Sequence, residues 1–310
     1  MTASGKRISV VIALYNGAEY LKEQLETIRT QTLPPDQVVM VDDGSTDNTA
    51  EVARAYIAEH DLQPAWQLYV NEQNLGYANN FRYAATLADC DYMFFSDQDD
   101  TWSPDKIALM TEKMEQLHDC VLLCTDYEPW PYGPNAQPVP ASAIKKMPNN
   151  GVLEKVTLTK KSIYIGALGC CMCVRKDFYD SITDYWFDKW GQDNRLWKLA
   201  QCVDGCYLWH KNLIRHRIHG KNAATFGKSH VVAKRLYVFE NMYHSAEQMK
   251  KLVTDGKARS MLDRHMRMLQ LRIDLFSKRK LLNAIRVLPY LSYYERLRSY
   301  PLEILIALKN

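Results

Sequence analysis

Short runs of β-branched residues alternate with segments of helical periodicity in the first third of the chain. Such runs are typical of parallel strands buried on both faces. Apolar residues at three- and four-residue spacing are typical of helices packed on a sheet. The pattern predicts strands at 8–15, 38–41, 67–70 and 92–96, with helices at 19–31, 48–60 and 77–87. It therefore predicts an α/β fold, with a mostly parallel sheet and helices on both faces.

The alternation is less regular further along the chain. A strand is predicted at 121–124 and a long surface loop at 128–151, where Pro, Asn and Gly are concentrated. Strand-like segments at 163–174 and 205–213 flank a predicted helix at 192–202.

After Gly227 the strand pattern stops, and apolar residues at helical spacing predict two amphipathic helices. The sequence thus predicts a first domain at 1–227 and a helical C-terminal region at 228–310. The two parts differ in charge. The tail holds 17 Lys and Arg against 7 Asp and Glu, whereas residues 1–227 hold 22 against 29. Different partners are therefore expected for the two parts.

Composition excludes several classes of protein. With 47% apolar and 24% charged residues, the chain is neither disordered nor fibrous. No apolar stretch is long enough to cross a bilayer, and the polar N-terminus does not suggest export. The eight cysteines lack two paired C-x-x-C spacings, so reduced packing cysteines and a cytoplasmic location are expected.

An acidic cluster, Asp97-Gln98-Asp99-Asp100, follows directly after an apolar strand. In an open α/β sheet the ligand crevice lies at the carboxyl ends of the strands. Clustered carboxylates repel one another unless a cation neutralises them, and Mg²⁺ or Mn²⁺ prefers oxygen ligands. We interpret Asp97 and Asp99 as metal ligands at a diphosphate site. Asp100 also fits a helix cap.

A second acidic pair, Asp42 and Asp43, also follows a predicted strand. Its carboxylates are placed to accept hydrogen bonds from a base or a ribose. Asn74 and Gly76 lie between the two acidic clusters in sequence and complete a predicted nucleotide site. The sequence has neither a P-loop nor a G-x-G-x-x-G motif, which disfavours ATPases and nicotinamide enzymes.

Four segments, 13–17, 41–47, 74–76 and 96–102, together resemble glycosyltransferase family 2 in order and spacing. The resemblance covers roughly the first two thirds of the chain. It implies a GT-A fold, a nucleotide-sugar donor, a divalent metal at the Asp97–Asp99 motif, and inversion at the anomeric carbon.

The resemblance also implies roles for individual residues. Asp193 stands where the family has its catalytic carboxylate, although Gln192 precedes it where the family often has Glu or His. Asp184 and Asp188 are the alternatives for this role. Residues implied in donor nucleotide binding are Tyr15, Asp42, Asp43, Asn74, Gly76, Asn80, Arg82 and Asp97.

The segment from Arg217 to Asn222 resembles the Arg-x-His-Gly-x-Asn element of rhamnosyltransferase-like members of the family. By this resemblance His219 reaches the metal or the diphosphate. Arg217 and Trp190 are expected to contact the diphosphate or the acceptor.

The predicted reaction is a single displacement, with Asp193 taking the proton of the acceptor hydroxyl. dTDP-rhamnose is the favoured donor and a UDP-hexose the alternative. The expected acceptor is a glycan or a polyprenyl-diphosphate-linked glycan of bacterial surface polysaccharide synthesis. The rival functions are a nucleotidyltransferase and a basic nucleic-acid-binding protein, although no nucleic-acid partner is expected.

The basic tail carries Lys278, Arg279 and Lys280 ahead of an apolar segment, 281–306. Such a segment is typical of a helix that lies on an anionic membrane surface. The sequence therefore predicts peripheral contact with the inner face of the cell membrane. Packing on the first domain, or a homodimer contact, is the alternative.

Overall fold

A computed structural model describes residues 5–133, 136, 139, 141–144, 147–188, 190–219 and 232–309. The strands are β1 (Ile8–Leu14), β2 (Gln37–Asp42), β3 (Trp66–Val70), β4 (Tyr92–Ser96), β5 (Thr101–Trp102), β6 (Leu122–Pro131), β7 (Leu153–Lys155), β8 (Met172–Arg175) and β9 (Cys206–Ile218). Helices of the first part are α1 (Ala18–Arg29), α2 (Thr49–Glu59), α3 (Tyr77–Thr86), α4 (Lys106–Gln116), α5 (Ala141–Ile144), α6 (Lys176–Ser181) and α7 (Gln192–Cys202). Those of the tail are α8 (Val232–Leu252), α9 (Gly256–Ser277), α10 (Asn283–Arg286) and α11 (Ser299–Lys309).

The described strands form one sheet in the order β3-β2-β1-β4-β8-β6-β9-β5, with β7 paired to β9. β1 lies between β2 and β4, and all three are parallel. β8 is antiparallel to both β4 and β6, whereas β6 and β9 are parallel. This arrangement confirms the predicted α/β fold. The half of the sheet formed by β3, β2, β1 and β4 is parallel.

The parallel strands β1, β2 and β4 are buried on both faces. In β1, Val10 and Ile12 pack in one cluster with residues of α1, α2 and α4. Val11 points to the other face and packs with residues of α3, α7 and the tail. Two buried faces explain the uninterrupted β-branched runs in the sequence.

Two predicted elements need correction. The apolar segment 163–174 is a strand only at β8, preceded by a 3₁₀ turn at Gly169–Cys171. A side chain at Gly166 would come within 2.8 Å of the Trp197 ring, so this segment is a closely packed turn. The predicted loop 128–151 begins later, because β6 continues to Pro131.

The two predicted tail helices are confirmed as α8 and α9. Ala246, Met249 and Leu262 are fully buried in the same cluster as Leu196 of α7, so part of the tail belongs to the core of the first domain. A second cluster lies within the tail. There Arg272 donates to Glu303 over 3.0 Å and 2.5 Å, and both residues are buried.

The predicted boundary at 227/228 lies outside the described residues and stays a prediction. Gly220, Lys221 and Asn222 of the His-containing element also lie outside them. Among the described helices, none is long and apolar enough to cross a membrane.

Candidate active site

Parallel pairing brings the ends of three strands together. Leu14 at the end of β1 pairs with Asp42 at the end of β2, and Ile12 pairs with Ser96 at the end of β4. The loops that carry Tyr15, Asp42–Asp43 and Asp97–Asp100 therefore leave the sheet side by side. They form the crevice that the sequence predicts.

The aspartates after β2 organise the loops of the predicted nucleotide site. Asp42 accepts hydrogen bonds from the backbone N–H and the hydroxyl of Ser45, at 2.8 Å and 2.6 Å. Asp43 accepts from the backbone N–H groups of Leu75 and Gly76, at 2.8 Å and 2.9 Å. Both carboxylates are buried. They thus fix the loop walls, and their direct contact with a nucleotide stays a prediction.

Gln98 joins the β4 and β1 loops. Its side-chain oxygen accepts from the Tyr15 backbone N–H at 2.9 Å, and its nitrogen donates to the Tyr15 carbonyl at 2.8 Å. A Cβ atom at Gly17 would lie 2.2 Å from the Gln98 amide. Only a glycine leaves room for this contact, which holds the exposed Tyr15 ring beside the crevice.

Asp99 and His219 meet, although they are 120 residues apart. The His219 Nε2 atom lies 2.9 Å from a carboxylate oxygen of Asp99. The Tyr20 ring stacks on the imidazole with a centroid distance of 4.9 Å. Two ligands of an octahedral cation, each about 2.1 Å from it, are about 3 Å apart. The pair therefore fits a divalent cation.

Asp97 and Asp100 lie behind this pair. Their carboxylates, with the Cys170 thiol and the His216 imidazole, offer ligand atoms that lie within 4.8 Å of one another. Burial raises the pKa of Asp97 to about 7, and the charges of Asp100 and Asp99 add to the shift. One carboxylate oxygen of Asp100 is buried without a hydrogen-bond partner among the described residues. The Asp97 and Asp100 carboxylates therefore fit a cation in this crevice.

His216 gives Asp100 a cationic partner. Its Nδ1 atom lies 2.9 Å from the Asp100 carboxylate. Burial lowers the pKa of His216, but the hydrogen bond to Asp100 and the charges of Asp100 and Asp97 outweigh burial and raise it to about 9. His216 is therefore charged at neutral pH and offsets part of the acidic cluster.

Arg217 is only 1% exposed. Its guanidinium donates to the Asp99 carbonyl at 2.7 Å and to Glu23 at 2.5 Å. The same group lies over the rings of Trp130 and Tyr132, at 4.1 Å and 4.4 Å. These contacts support the acidic loop from behind. The contact of Arg217 with the diphosphate or the acceptor stays a prediction. The burial of the side chain disfavours it.

Asp193 lies in the first turn of α7 and accepts from the Asn194 backbone N–H at 2.6 Å. Burial raises its pKa, and the backbone N–H groups of Asn194 and Asp193 oppose the shift. A Cβ at Gly191 would lie 2.9 Å from the carboxylate and 3.2 Å from the Tyr77 hydroxyl. Glycine at 191 therefore lets Tyr77 and Asp193 approach each other.

The Gly169–Cys171 turn connects Asp193 to the acidic cluster. A Cβ at Gly169 would lie 3.5 Å from the Asp193 Cβ, and the next residue, Cys170, belongs to the group around Asp97. Consecutive Cα atoms are about 3.8 Å apart, so the residue that contacts Asp193 and the residue that contacts Asp97 are neighbours in this turn. Buried Lys106 fixes the turn by donating to the Cys170 carbonyl at 2.8 Å.

The remaining predicted residues lie in different surroundings. Asn74 donates to the Asp43 carbonyl, and buried Asn80 donates to the Val41 carbonyl, each at 2.9 Å. Exposed Arg82 lies 5.1 Å above the Trp186 ring. Trp190 is only 2% exposed and stacks on Phe187. Burial disfavours the predicted contact of Trp190 with a diphosphate or an acceptor, which stays a prediction.

The alternative bases differ from Asp193. Asp188 is exposed and accepts from Asn79 of α3 at 3.1 Å. Asp184 is also exposed. The structure thus gives Asp193 the most enclosed position of the three carboxylates.

Sequence reasoning missed Gln98, His216 and Lys106 as site residues. Gln98 stands inside the acidic cluster 97–100, and nothing in the local sequence indicates its contact with Tyr15. His216 lies between Arg215 and Arg217, and this run of three consecutive polar residues near the end of a strand is the one available signal. Nothing in the sequence around Lys106 indicates that it is buried.

The chain is similar in sequence to known proteins. A family model described as glycosyl transferase family 2 matches residues 9–183. An uncharacterized glycosyltransferase of Nostoc is 34% identical over 34% of the chain and 32% of its own length. The putative teichuronic acid biosynthesis glycosyltransferase TuaG of Bacillus subtilis is 28% identical over 39% of the chain and 46% of its own length. The chain thus spans less than half the length of these two relatives.

Two solved structures share the fold at low identity. S. aureus TarS 1–349 in complex with UDP-GlcNAc matches with a TM-score of 0.65 at 17% identity, over 98% of the chain and 88% of TarS 1–349. A mannosyltransferase of Pyrobaculum calidifontis in complex with GDP-Man and Mn²⁺ matches with a TM-score of 0.56 at 15% identity, over 98% of the chain and 85% of its own.

The contact between Gly17 and Gln98 leads to a first prediction. Gly17→Ala should lower the free energy of unfolding by about 1–3 kcal/mol, because the added methyl group overpacks the Gln98 amide. Gln98→Ala in the same chain should recover part of this loss by removing the opposing atoms. Urea unfolding of the two single variants and the double variant measures the coupling. Strictly additive losses would show that the two side chains do not meet.

Proposed function

We propose that this chain, which belongs to glycosyl transferase family 2, is an inverting, metal-dependent glycosyltransferase with a nucleoside-diphosphate sugar donor. The observation that carries the proposal is the 2.9 Å approach of His219 to Asp99, and Asp193 is proposed to face the same crevice. One site thus combines groups for a diphosphate and for an acceptor proton. A single carboxylate base is what a one-step inverting displacement needs.

Asp99 and His219 are proposed to hold Mn²⁺ or Mg²⁺, with Asp97 beside them. When bound, the cation supplies neutralising charge to the leaving diphosphate. Tyr20 keeps the His219 ring in place by stacking. Gln98 and Asp43 hold the loops around the nucleotide through their backbone contacts.

Asp193 is proposed to take the proton from the acceptor hydroxyl. Enclosure raises the pKa of this carboxyl group, so its ionised form accepts a proton more readily than an exposed aspartate. The Tyr77 hydroxyl lies on the same side of Gly191 and is placed to orient the acceptor.

The donor proposed from the sequence is dTDP-rhamnose, with a UDP-hexose as the alternative. TarS is in complex with UDP-GlcNAc, which favours the UDP alternative for a chain of the same fold. Both donors present a pyrimidine and a diphosphate. The crevice of Tyr15, Asp43 and Asp99 suits either nucleotide.

The proposed acceptor is a glycan, free or linked to polyprenyl diphosphate, in bacterial surface polysaccharide synthesis. The relatives TuaG and the putative glycosyltransferase EpsE, both of Bacillus subtilis, support this class. A membrane-linked acceptor requires the enzyme to work at a membrane surface.

The tail offers a surface for this. Leu281, Leu282, Ile285 and Leu288 are 44–66% exposed, although they are among the most apolar residues of the tail. They follow the basic segment Lys278–Lys280, and anionic lipid attracts such cations. We name these four residues the apolar surface of α10 and propose that it rests on an anionic membrane.

Metal dependence is the second prediction. Asp99→Asn should weaken the affinity for UDP and dTDP at saturating Mn²⁺ by at least about tenfold, because it removes a charged ligand. Asp105→Asn, which changes a carboxylate in the turn that follows the site, serves as the matched control. Calorimetry with and without EDTA measures both variants. Equal nucleotide affinity in the presence and absence of EDTA would exclude a metal-held diphosphate.

The role of Asp193 is the third prediction. Asp193→Asn should lower kcat by about 10²–10⁴-fold and leave donor affinity nearly unchanged, since the base acts on the acceptor. The base must be ionised, so activity falls as the pH drops through its pKa. Because burial raises that pKa, the acidic limb should lie above pH 4, the usual value for aspartate.

The pH profile of initial rates, with Asp188→Asn as the control, measures this effect. A near wild-type rate for Asp193→Asn, with a loss in Asp188→Asn, would transfer the role to Asp188.

Membrane contact is the fourth prediction. Leu282→Glu with Ile285→Glu should abolish co-sedimentation with vesicles that contain phosphatidylglycerol, because two charges replace apolar contacts. Val152→Glu places the same charge at an exposed apolar residue of the first part and should bind like wild type. Unchanged vesicle binding in the double variant would overturn the proposal. A shift from dimer to monomer in that variant would instead assign the apolar surface of α10 to a second copy.

A further inference from the structure

A cavity of about 390 Å³ lies between the first domain and the tail, apart from the candidate active site. Its lining comes from the loop that carries Lys160, from the first two turns of α9, and from Tyr293. Lys160 donates to Ser292 at 3.0 Å and lies 4.5 Å from the Tyr293 ring centroid. The cavity thus spans a contact between the two parts of the chain. We call it the tail cavity.

The tail cavity is lined by positive charge. Lys160, Lys257 and Arg264 contribute three cations, and no carboxylate is among the described lining residues. Within the described part of the chain, the side chains of Lys257 and Arg264 have no hydrogen-bonded or ion-paired partner. Asp255 caps α9 nearby, but its carboxylate accepts from the Ala258 backbone N–H at 2.7 Å. A net positive potential therefore remains to attract an anion.

The donors are arranged along one side of α9. Gly256, Ser260 and Arg264 follow one another at intervals of four residues and share a helix face. Nothing lies within 4 Å of the position of a Cβ at Gly256, so the backbone at the helix N-terminus is open to a ligand. A hydroxyl, a guanidinium, two ammonium groups and the helix terminus are all suited to phosphate oxygens.

The position of the tail cavity favours a lipid as the source of the phosphate. Tyr293 ends the 3₁₀ segment Leu288–Tyr293, and exposed Leu288 of the apolar surface of α10 begins it. At about 2 Å per residue, this segment is about 10 Å long. A headgroup in the tail cavity would therefore lie within about 10 Å of Leu288. The volume exceeds the roughly 30 Å³ of one water many times, which leaves room for a glycerophosphate.

We propose that the tail cavity binds the phosphate ester of an anionic lipid headgroup and that Lys257 and Arg264 are its principal ligands. This inference rests on the proposed membrane contact and not on the transfer reaction. Lys160 contributes the third cation from the first domain, so the bound phosphate joins the tail to that domain. The tail cavity thereby orients the catalytic part on the membrane, whereas the apolar surface of α10 provides attachment.

The test combines a soluble probe with vesicles. Calorimetry with glycerol 1-phosphate reports on the tail cavity alone, and co-sedimentation compares phosphatidylcholine vesicles with equal parts of phosphatidylcholine and phosphatidylglycerol. Lys257→Gln with Arg264→Gln should weaken both interactions roughly ten- to thirtyfold. Arg267→Gln removes a charge from an exposed residue of the same helix outside the tail cavity and should behave like wild type.

The variants separate the alternatives. Leu282→Glu with Ile285→Glu should lose vesicle binding and keep glycerol 1-phosphate binding. If the Lys257 and Arg264 variant loses only the soluble probe, a free phosphate is the occupant and the lipid assignment is overturned. If it loses neither, the site itself is overturned. Metal-dependent UDP binding by the same proteins reports on folding and tests the proposed function separately.

Discussion

The crowding of three carboxylates at the end of β4 is the constraint on which the rest of the site depends. Asp97, Asp99 and Asp100 lie within four consecutive positions, and ionising all three in a partly buried crevice is unfavourable. The structure meets part of this constraint from β9, where His216 pairs with Asp100, and His219 directly after the strand contacts Asp99. A bound cation would add the remaining charge. The thirteen-residue β9 strand is therefore as much a part of the site as the motif itself.

Arg217 is a buried charged residue that supports the loop carrying Asp99. Removing a guanidinium from water is costly unless its donors are satisfied. Here the Asp99 carbonyl, Glu23 and two aromatic rings satisfy them, so the residue connects α1, β6 and the acidic loop. Replacing Arg217 would leave Glu23 unpaired and the loop unsupported. The expected loss is therefore structural before it is catalytic.

The sequence predicts those features that depend on local pattern. Strands buried on both faces require continuous apolar runs, so β1, β2 and β4 were predictable, and the strand-end rule placed Asp43 and Asp97 in one crevice. The continuation of β6 through Pro129 and Pro131 was not predictable. Beyond Cys124, β6 pairs with β9 but not with β8 in the described part of the chain. The edge of β6 that faces away from β9 therefore tolerates proline, which has no backbone N–H.

The sequence also could not predict contacts between residues that are far apart along the chain. His216 and Gln98 act on residues more than 80 positions away, and Lys106 is buried although its local pattern gives no sign of it.

Asp193, the proposed base, differs from the acidic cluster in what shifts its pKa. Like Asp97, it has a raised pKa, but the additional effects differ in kind. At Asp97, neighbouring carboxylates add to burial, so bringing a cation close removes part of the shift. At Asp193, burial dominates and helix N–H groups oppose it, so a cation several residues away changes little. The Gly169–Cys171 turn lies between the two carboxylates, with Gly169 next to Asp193 and Cys170 next to Asp97. One crevice can thus hold a phosphate-binding acid cluster and an independent base, which a transfer between two bound substrates requires.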